Sequence, residues 1–212
     1  EIPGDKIKSG QLAPFEWERL MSRIEILRNA PIYIDDTPSL SVFELRTKAR
    51  RLVREHGIKI IIIDYLQLMN ASGMSFGSRE QEVSTISRSL KQLAKELQIP
   101  IIALSQLNRS VESRGNDKDG KEGKRPQLSD LRESGAIEQD ADMVCFIHRP
   151  EYYTRSKEDA NGNSIEGLAE FIIAKHRSGA TDTVNMKFVS YLARFQNYDE
   201  DTRLTDFSAP VT

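Results

Sequence analysis

The sequence predicts an α/β fold, a mostly parallel sheet flanked by helices. Three observations carry this. Ile60–Ile63 is a run of four β-branched residues without polar alternation, the pattern of a strand buried on both faces, and it ends on Asp64. Ile99–Ser105 is a second apolar run, with Gln106 standing at its end. Between them Val83, Ile86, Leu90, Leu93 and Leu97 recur at steps of three and four, the period of a helix with one buried face. Strand, helix and strand in that order make a βαβ unit, right-handed by rule. Parallel strands then bring Asp64 and Gln106 to one edge of the sheet, where open α/β sheets hold their ligands.

The remaining elements follow in order. Pro14 suits a first helical position, and Trp17, Leu20, Met21, Ile24 and Leu27 continue a helix to Arg28. Pro31–Asp36 reads as a short strand ending in Asp35 and Asp36. Paired acids can mark metal or acid–base chemistry. Ahead of Thr37-Pro38 and a helix start they read instead as turn formers. Ser41 and Glu44 form a capping-box pattern that opens a helix to His56, with Phe43, Leu45, Leu52 and Val53 inward and Gly57 as its stop. Asn70–Ser78 is a loop. Ser78 with Gln81 is a second capping box, and its helix runs to about Gln98. Leu107–Gln127 is long, polar and mildly positive, with Arg109, Arg114, Lys118, Lys121, Lys124 and Arg125 against four acids. Ser129–Asp142 gives a short helical segment, a break at Gly135 and a second helix start. A strand at Met143–Ile147 precedes a polar excursion, Pro150–Gly167, with a turn at Asn161-Gly162. Leu168–Ala174 and Thr183–Val189 form a hairpin, Leu192–Tyr198 a last strand, and the chain from 200 to 212 a polar tail.

Composition bounds the function. At 212 residues, with 38% hydrophobic and 29% charged, the chain fits one soluble globular domain, placed here at 1–199. A net charge of −2 leaves no global basic footprint, so any nucleic-acid contact has to come from a local cluster or from assembled subunits. Cys145, the single cysteine, reads as core and suits a reducing, cytoplasmic setting. There is no signal peptide and no apolar run near the roughly 18 residues of a membrane span. The chain begins at Glu1 without an initiating element of its own, and reads as a fragment of a longer protein.

Asp64 closes a segment with the form of a Walker B motif, whose Asp holds Mg²⁺, usually through water, beside nucleotide phosphates. The plainer alternative is an aspartate that caps the next turn. Four segments then occur in order: I-I-I-I-D-Y-L-Q-L-M, A-L-S-Q-L-N-R, D-L-R-E-S-G-A-I-E-Q-D-A-D and I-I-A-K-H-R-S-G. Together they resemble the C-terminal motor domain of the DnaB-type replicative DNA helicases, with a RecA-like fold. The third segment is the most specific.

The resemblance implies ATP and Mg²⁺ as cofactors, single-stranded DNA as the track, a homohexameric ring, and a primase and a helicase loader as partners. It implies that Asp64 holds the Mg²⁺ water shell and that Gln106 senses the γ-phosphate. Arg177 resembles an arginine finger reaching the neighbouring subunit's nucleotide, with Lys175 beside it. Their alternating spacing places both on one side of a strand end. Arg132, Glu133 and Gly135 resemble the channel loop that holds the DNA backbone. There Gly135 lets the main chain approach a phosphate, and the contacts carry no sequence information.

The departure from the family is the absence of any G-x-x-x-x-G-K-[S/T] in the sequence. The family places this Walker A loop, and the glutamate that activates water, upstream. The chain by itself is therefore expected not to hydrolyse ATP. Because the Walker A strand is central in RecA-like sheets, its absence is expected to leave a gap or unpaired edges, answered by strand pairing between copies or by a rearranged sheet. Other readings are a RecA-like recombinase-type ATPase, a non-catalytic interaction module, and a metal nuclease using Asp35, Asp36 and Asp64. The last finds no His or Glu at ligand spacing.

Overall fold

The computed structural model of the chain describes residues 2–198 apart from 72, 74, 115–123, 154–157, 159–161 and 163. In chain order the elements are α1 (Gly4–Ser9), α2 (Pro14–Arg28), α3 (Val42–His56), β1 (Ile61–Ile63), α4 (Arg79–Leu97), β2 (Ile101–Ala103), α5 (Ser110–Ser113), α6 (Gly135–Asp140), β3 (Met143–His148), α7 (Pro150–Tyr153), β4 (Leu168–His176), β5 (Asp182–Val189) and β6 (Arg194–Asn197). Short 3₁₀ segments occur at Leu66–Leu68, Leu128–Ser134 and Ser190–Leu192. The described residues fall into two compact units. One holds 21–114 and 126–144; the other holds 2–20, 124–125 and 145–198.

The first unit contains the predicted βαβ arrangement. Strands β1 and β2 pair in parallel, with Ile61 opposite Ile101, Ile62 opposite Ile102 and Ile63 opposite Ala103. Its helices start and stop where their caps dictate. Ser41 Oγ accepts from the Glu44 amide at 3.2 Å while the Glu44 carboxylate accepts from the Ser41 amide at 3.0 Å, so two amides that the helix leaves orphaned are satisfied. Helix α3 ends at Gly57, whose φ of 61° is the left-handed stop that glycine adopts freely. At α4 the box is only half made: Ser78 Oγ accepts from the Gln81 amide at 3.3 Å, but the Gln81 side chain accepts from Gly77 instead. Val42, Leu45 and Ala49 of α3 meet Val83, Ile86, Leu90 and Leu93 of α4, with Leu66 and Met69 from the turn after β1.

That core covers one face of the strand pair. Ile61 and Ile63 pack on it, whereas Ile62 on the opposite face is 64% exposed and Ile60 46%. Burial of β1 on both faces is thus corrected to burial on one, because successive side chains of a strand point to opposite faces and both helices pack on the same one. Three further expectations change. Pro31–Asp36 forms no strand, since no neighbouring strand supplies a ladder, and Ile32 and Ile34 stand exposed. Phe43 faces outward rather than into the core. Helix α2 has the predicted bounds, yet Trp17, Met21 and Leu27 are exposed and Glu16 is its one buried residue.

In the second unit the strands run in the order β3-β4-β5-β6. The β4–β5 and β5–β6 pairs are antiparallel, as short connections require. The described strands make two sheets, β1 with β2 and β3-β4-β5-β6. Among the described residues no helix is long and apolar enough to cross a membrane. The polar tail, the Asn161 turn position and residues 115–123 of the 107–127 loop lie outside the described residues.

Ile86 is wholly buried and Ile62 largely open. Ile86→Ala is expected to destabilise the chain by about 2–5 kcal/mol in urea or guanidinium unfolding, whereas Ile62→Ala should cost under about 0.5 kcal/mol. A cost at Ile62 matching that at Ile86 would show that the second face of β1 is covered in solution.

Candidate functional site

Asp64 and Gln106 stand at the same edge of the strand pair, as the parallel register requires. The ladder continues past the strands, with Leu104 N–H donating to the Ile63 carbonyl at 2.9 Å and Leu66 N–H donating to the Leu104 carbonyl at 2.8 Å. Asp64 follows β1 directly and is exposed, and no described residue hydrogen-bonds or ion-pairs with its carboxylate. The Asp64–Tyr65 peptide is cis. Asp64 does not cap the following turn, which has no side-chain cap, so the plainer reading of this residue falls away. Gln106 lies three residues past β2, also exposed.

Gln67, which the sequence reading passed over, bridges the two strand ends. Its amide nitrogen donates to Ser105 Oγ at 2.9 Å and to the Gln106 carbonyl at 3.4 Å, and its amide oxygen accepts from the Gln106 N–H at 3.2 Å. The available signal was a lone polar residue inside the apolar run L-Q-L-M.

A second polar lock holds the base of the 128–134 segment. Asp130 is buried and accepts from the Gln127 amide at 2.7 Å, and the Arg114 guanidinium ion-pairs with it. Its carbonyl accepts from the Asn108 amide at 3.1 Å, tying this segment to the chain that leaves β2. Arg114 is therefore structural rather than a loose cation of the polar loop. Arg125 is likewise held, on Glu170 at 3.0 Å and Thr183 at 2.9 Å. Arg132 and Glu133 lie on the 3₁₀ segment, with side chains outside the described part. Gly135 opens α6, is exposed, and has nothing within 4 Å of where a Cβ would sit.

Lys175 and Arg177 belong to the other unit. Lys175 is on β4 and half-buried; Arg177 is exposed in the turn one residue beyond it, so only Lys175 takes its direction from the strand. The turn is tight: a Cβ on Gly179 would collide with the His176 ring, so a side chain there would displace that ring between Lys175 and Arg177.

The chemistry of the donors suits magnesium in one mode only. Among the described residues no group of three or more acids, histidines or cysteines could hold a metal by itself. A single unengaged carboxylate fits Mg²⁺, which keeps several waters and takes one or two carboxylates together with substrate phosphates.

Asp35 and Asp36 make no such site. Asp35 accepts from the Thr37 amide at 3.0 Å and ion-pairs with Lys48 at 2.6 Å. Hydrogen bonds from Lys48 and Thr37 bring its pKa down from 3.8 to about 2. A depressed carboxylate stabilises the fold above its ordinary pKa, and the contribution fades as pH falls through the depressed value. The stability difference between the wild-type chain and Asp35→Asn should hence be flat above about pH 5 and shrink towards pH 2. A difference that grows on acidification would overturn this assignment.

The chain is similar to known proteins over nearly its whole length. Residues 1–197 match the family described as DnaB-like helicase C-terminal domain. The chain is 48% identical over 198 residues to the replicative DNA helicase DnaB of Geobacillus stearothermophilus, covering 93% of this chain and 41% of that protein. It is 46% identical over 209 residues to the replicative DNA helicase DnaC of Bacillus subtilis (strain 168), covering 99% and 43%. Among solved structures, an isolated ATPase domain superposes with a TM-score of 0.80 at 40% identity, covering 93% of this chain and 66% of that one. A DnaB-like replicative helicase, solved in a study of its interactions with primase, gives the same TM-score and identity, over 93% of this chain and 45% of that one. The chain thus spans about two fifths of the length of the curated relatives it matches. It has the RecA-like α/β fold of these neighbours and belongs to the DnaB-like helicase C-terminal domain family.

Proposed function

We propose that this chain is the nucleotide-sensing and DNA-holding part of a replicative helicase motor. That motor couples ATP hydrolysis to movement along single-stranded DNA and to separation of the duplex. The observation that supports this most is the shared edge of β1 and β2. There an unengaged carboxylate, Asp64, and an exposed amide, Gln106, stand at the ends of adjacent parallel strands in a chain of this family.

The chemistry divides among the residues. Asp64 would hold Mg²⁺ through its water shell, and the ion supplies charge neutralisation on the phosphates when bound. Gln106 donates its side-chain amide to the γ-phosphate, so it distinguishes ATP from ADP. Lys175 and Arg177 reach the nucleotide of a neighbouring subunit and stabilise charge that develops on the transferring phosphoryl oxygens. Arg132 offers charge and Gly135 an open main chain at a helix start to the DNA backbone, while Glu133 orients Arg132 or a backbone amide. Binding of this kind is indifferent to base sequence and weakens with salt. A homohexameric ring provides the neighbours, and a primase and a loader are the partners this reading implies. No phosphate-cradling G-x-x-x-x-G-K-[S/T] loop occurs in the sequence, so the chain alone turns over no ATP.

Complementation in the full-length protein tests the reading. Asp64→Ala and Arg177→Ala should each lower DNA-stimulated ATP turnover by roughly a hundredfold or more. Mixing the two variants should restore part of it, because some interfaces then join an intact Asp64 to an intact Arg177. Mixtures as inactive as their components would show that Arg177 does not act across subunits. Strand exchange without unwinding by the wild type would favour the recombinase reading.

For DNA, Gly135→Ala has room for its methyl group and keeps a helical φ of −49°. It should leave the thermal midpoint unchanged and weaken single-stranded DNA binding in a titration at fixed salt. Unchanged affinity would remove Gly135 from the DNA site.

A further inference from the structure

Gln106 stands beyond the reach of the sheet. The last ladder bonds engage Leu104, and residues 104–108 follow no regular structure. A side chain that must meet a phosphate at hydrogen-bond distance needs its backbone fixed to a fraction of an ångström. Something other than the strand has to do this.

Among the described residues the sole hydrogen-bond partner of Gln106 is the side chain of Gln67. The bond is double: the Gln106 N–H donates to the amide oxygen of Gln67 at 3.2 Å, and the amide nitrogen of Gln67 donates to the Gln106 carbonyl at 3.4 Å. One planar group thus takes both backbone polar groups of one residue, which fixes orientation as well as position. The second hydrogen of the same nitrogen goes to Ser105 Oγ at 2.9 Å, anchoring the amide one residue earlier. All of this leaves the Gln106 side chain exposed.

Gln67 is itself held. Its carbonyl accepts from the Arg79 guanidinium at 2.8 Å, and Arg79 also donates to the Met69 carbonyl at 3.1 Å and ion-pairs with Glu82 at 2.5 Å. Glu82 in turn accepts from the Ala71 amide at 3.0 Å. The first turn of α4 therefore fixes the turn after β1, and that turn fixes Gln106. Since Gln67 follows Asp64 by three residues, one short segment sets the spacing of the carboxylate and the sensing amide.

We propose that Gln67 is a positioning residue for Gln106, acting on the nucleotide only through it. This rests on the reading of Gln106 as the γ-phosphate sensor. Only a glutamine side chain serves. The clamp needs an acceptor and a two-hydrogen donor at this reach. Asparagine is one methylene short, and glutamate has no donor for the Gln106 carbonyl.

The test is a double-mutant cycle in the full-length protein, read as kcat and KM for ATP turnover in the presence of single-stranded DNA. Gln67→Leu should lower kcat by about tenfold to a hundredfold, with KM for ATP and affinity for ADP changed less than about threefold, since the lost contact is to the γ-phosphate. Gln67→Glu keeps the shape and the bond to the Gln106 N–H, and should fall between wild type and Gln67→Leu. It also serves if the leucine variant does not assemble. In a Gln106→Ala background either Gln67 substitution should cost nothing further. Hydrogen exchange should show faster exchange at the Gln106 amide in the Gln67 variants.

Multiplying effects in the double variant would overturn the proposal, because Gln67 would then act by another route. So would wild-type kcat in Gln67→Leu. If Gln106→Ala turns over ATP like the wild type, the sensor reading itself falls and this proposal falls with it, an outcome distinct from the other two.

Discussion

The parallel pairing of β1 with β2 is the constraint on which the candidate site depends. A parallel pair cannot be closed by a tight turn; the chain must cross back through a helix, and α4 is that helix. Its buried stripe sets which face of the strands is covered, and the register of Ile61 with Ile101 sets where the two strands end. Once these are fixed, Asp64 and Gln106 share an edge without any contact between their side chains. The site is a consequence of topology, and local hydrogen bonds only refine it.

Much of this was legible in the sequence because the signals were local. The capping box at Ser41 and Glu44, the stop at Gly57 and the period of α4 act within a few residues, and each is found as read. What escaped depends on contacts distant in sequence. The strand expected at Pro31–Asp36 has the right residues but no neighbour to bond with. Phe43 sits within an otherwise correct helix, yet about half of it stays open to solvent at the margin of the α3–α4 contact. Gln67 is the instructive miss. Nothing in L-Q-L-M says that its amide will meet a backbone 39 residues later.

The two acidic features first weighed as metal sites separate by what surrounds them. Asp35 is engaged by Lys48 and by the Thr37 amide, so its charge is already spent on the protein and its pKa is depressed for that reason. Asp64 carries the same chemistry with no protein partner among the described residues. An engaged carboxylate caps a turn; an unengaged one at a strand edge is available to an ion. The residue types are identical, and only the environment distinguishes turn former from ligand.

The run Ile60–Ile63 makes a related point about what a pattern records. Four isoleucines in succession state that both faces of the strand are meant to be apolar. The unit that contains them covers one face and leaves Ile62 open, with Ile102 beside it on the paired strand and also open. Apolar side chains aligned on adjacent strands form a continuous stripe, and such a stripe in water is unfavourable at about 25 cal/mol for each Å² exposed. Strand edges carry the corresponding unpaired backbone groups. The stripe lies on the strand pair that bears Asp64 and Gln106. Whatever covers it would restrain the strands that position both residues, so cover on this face and order at the nucleotide edge are mechanically one problem.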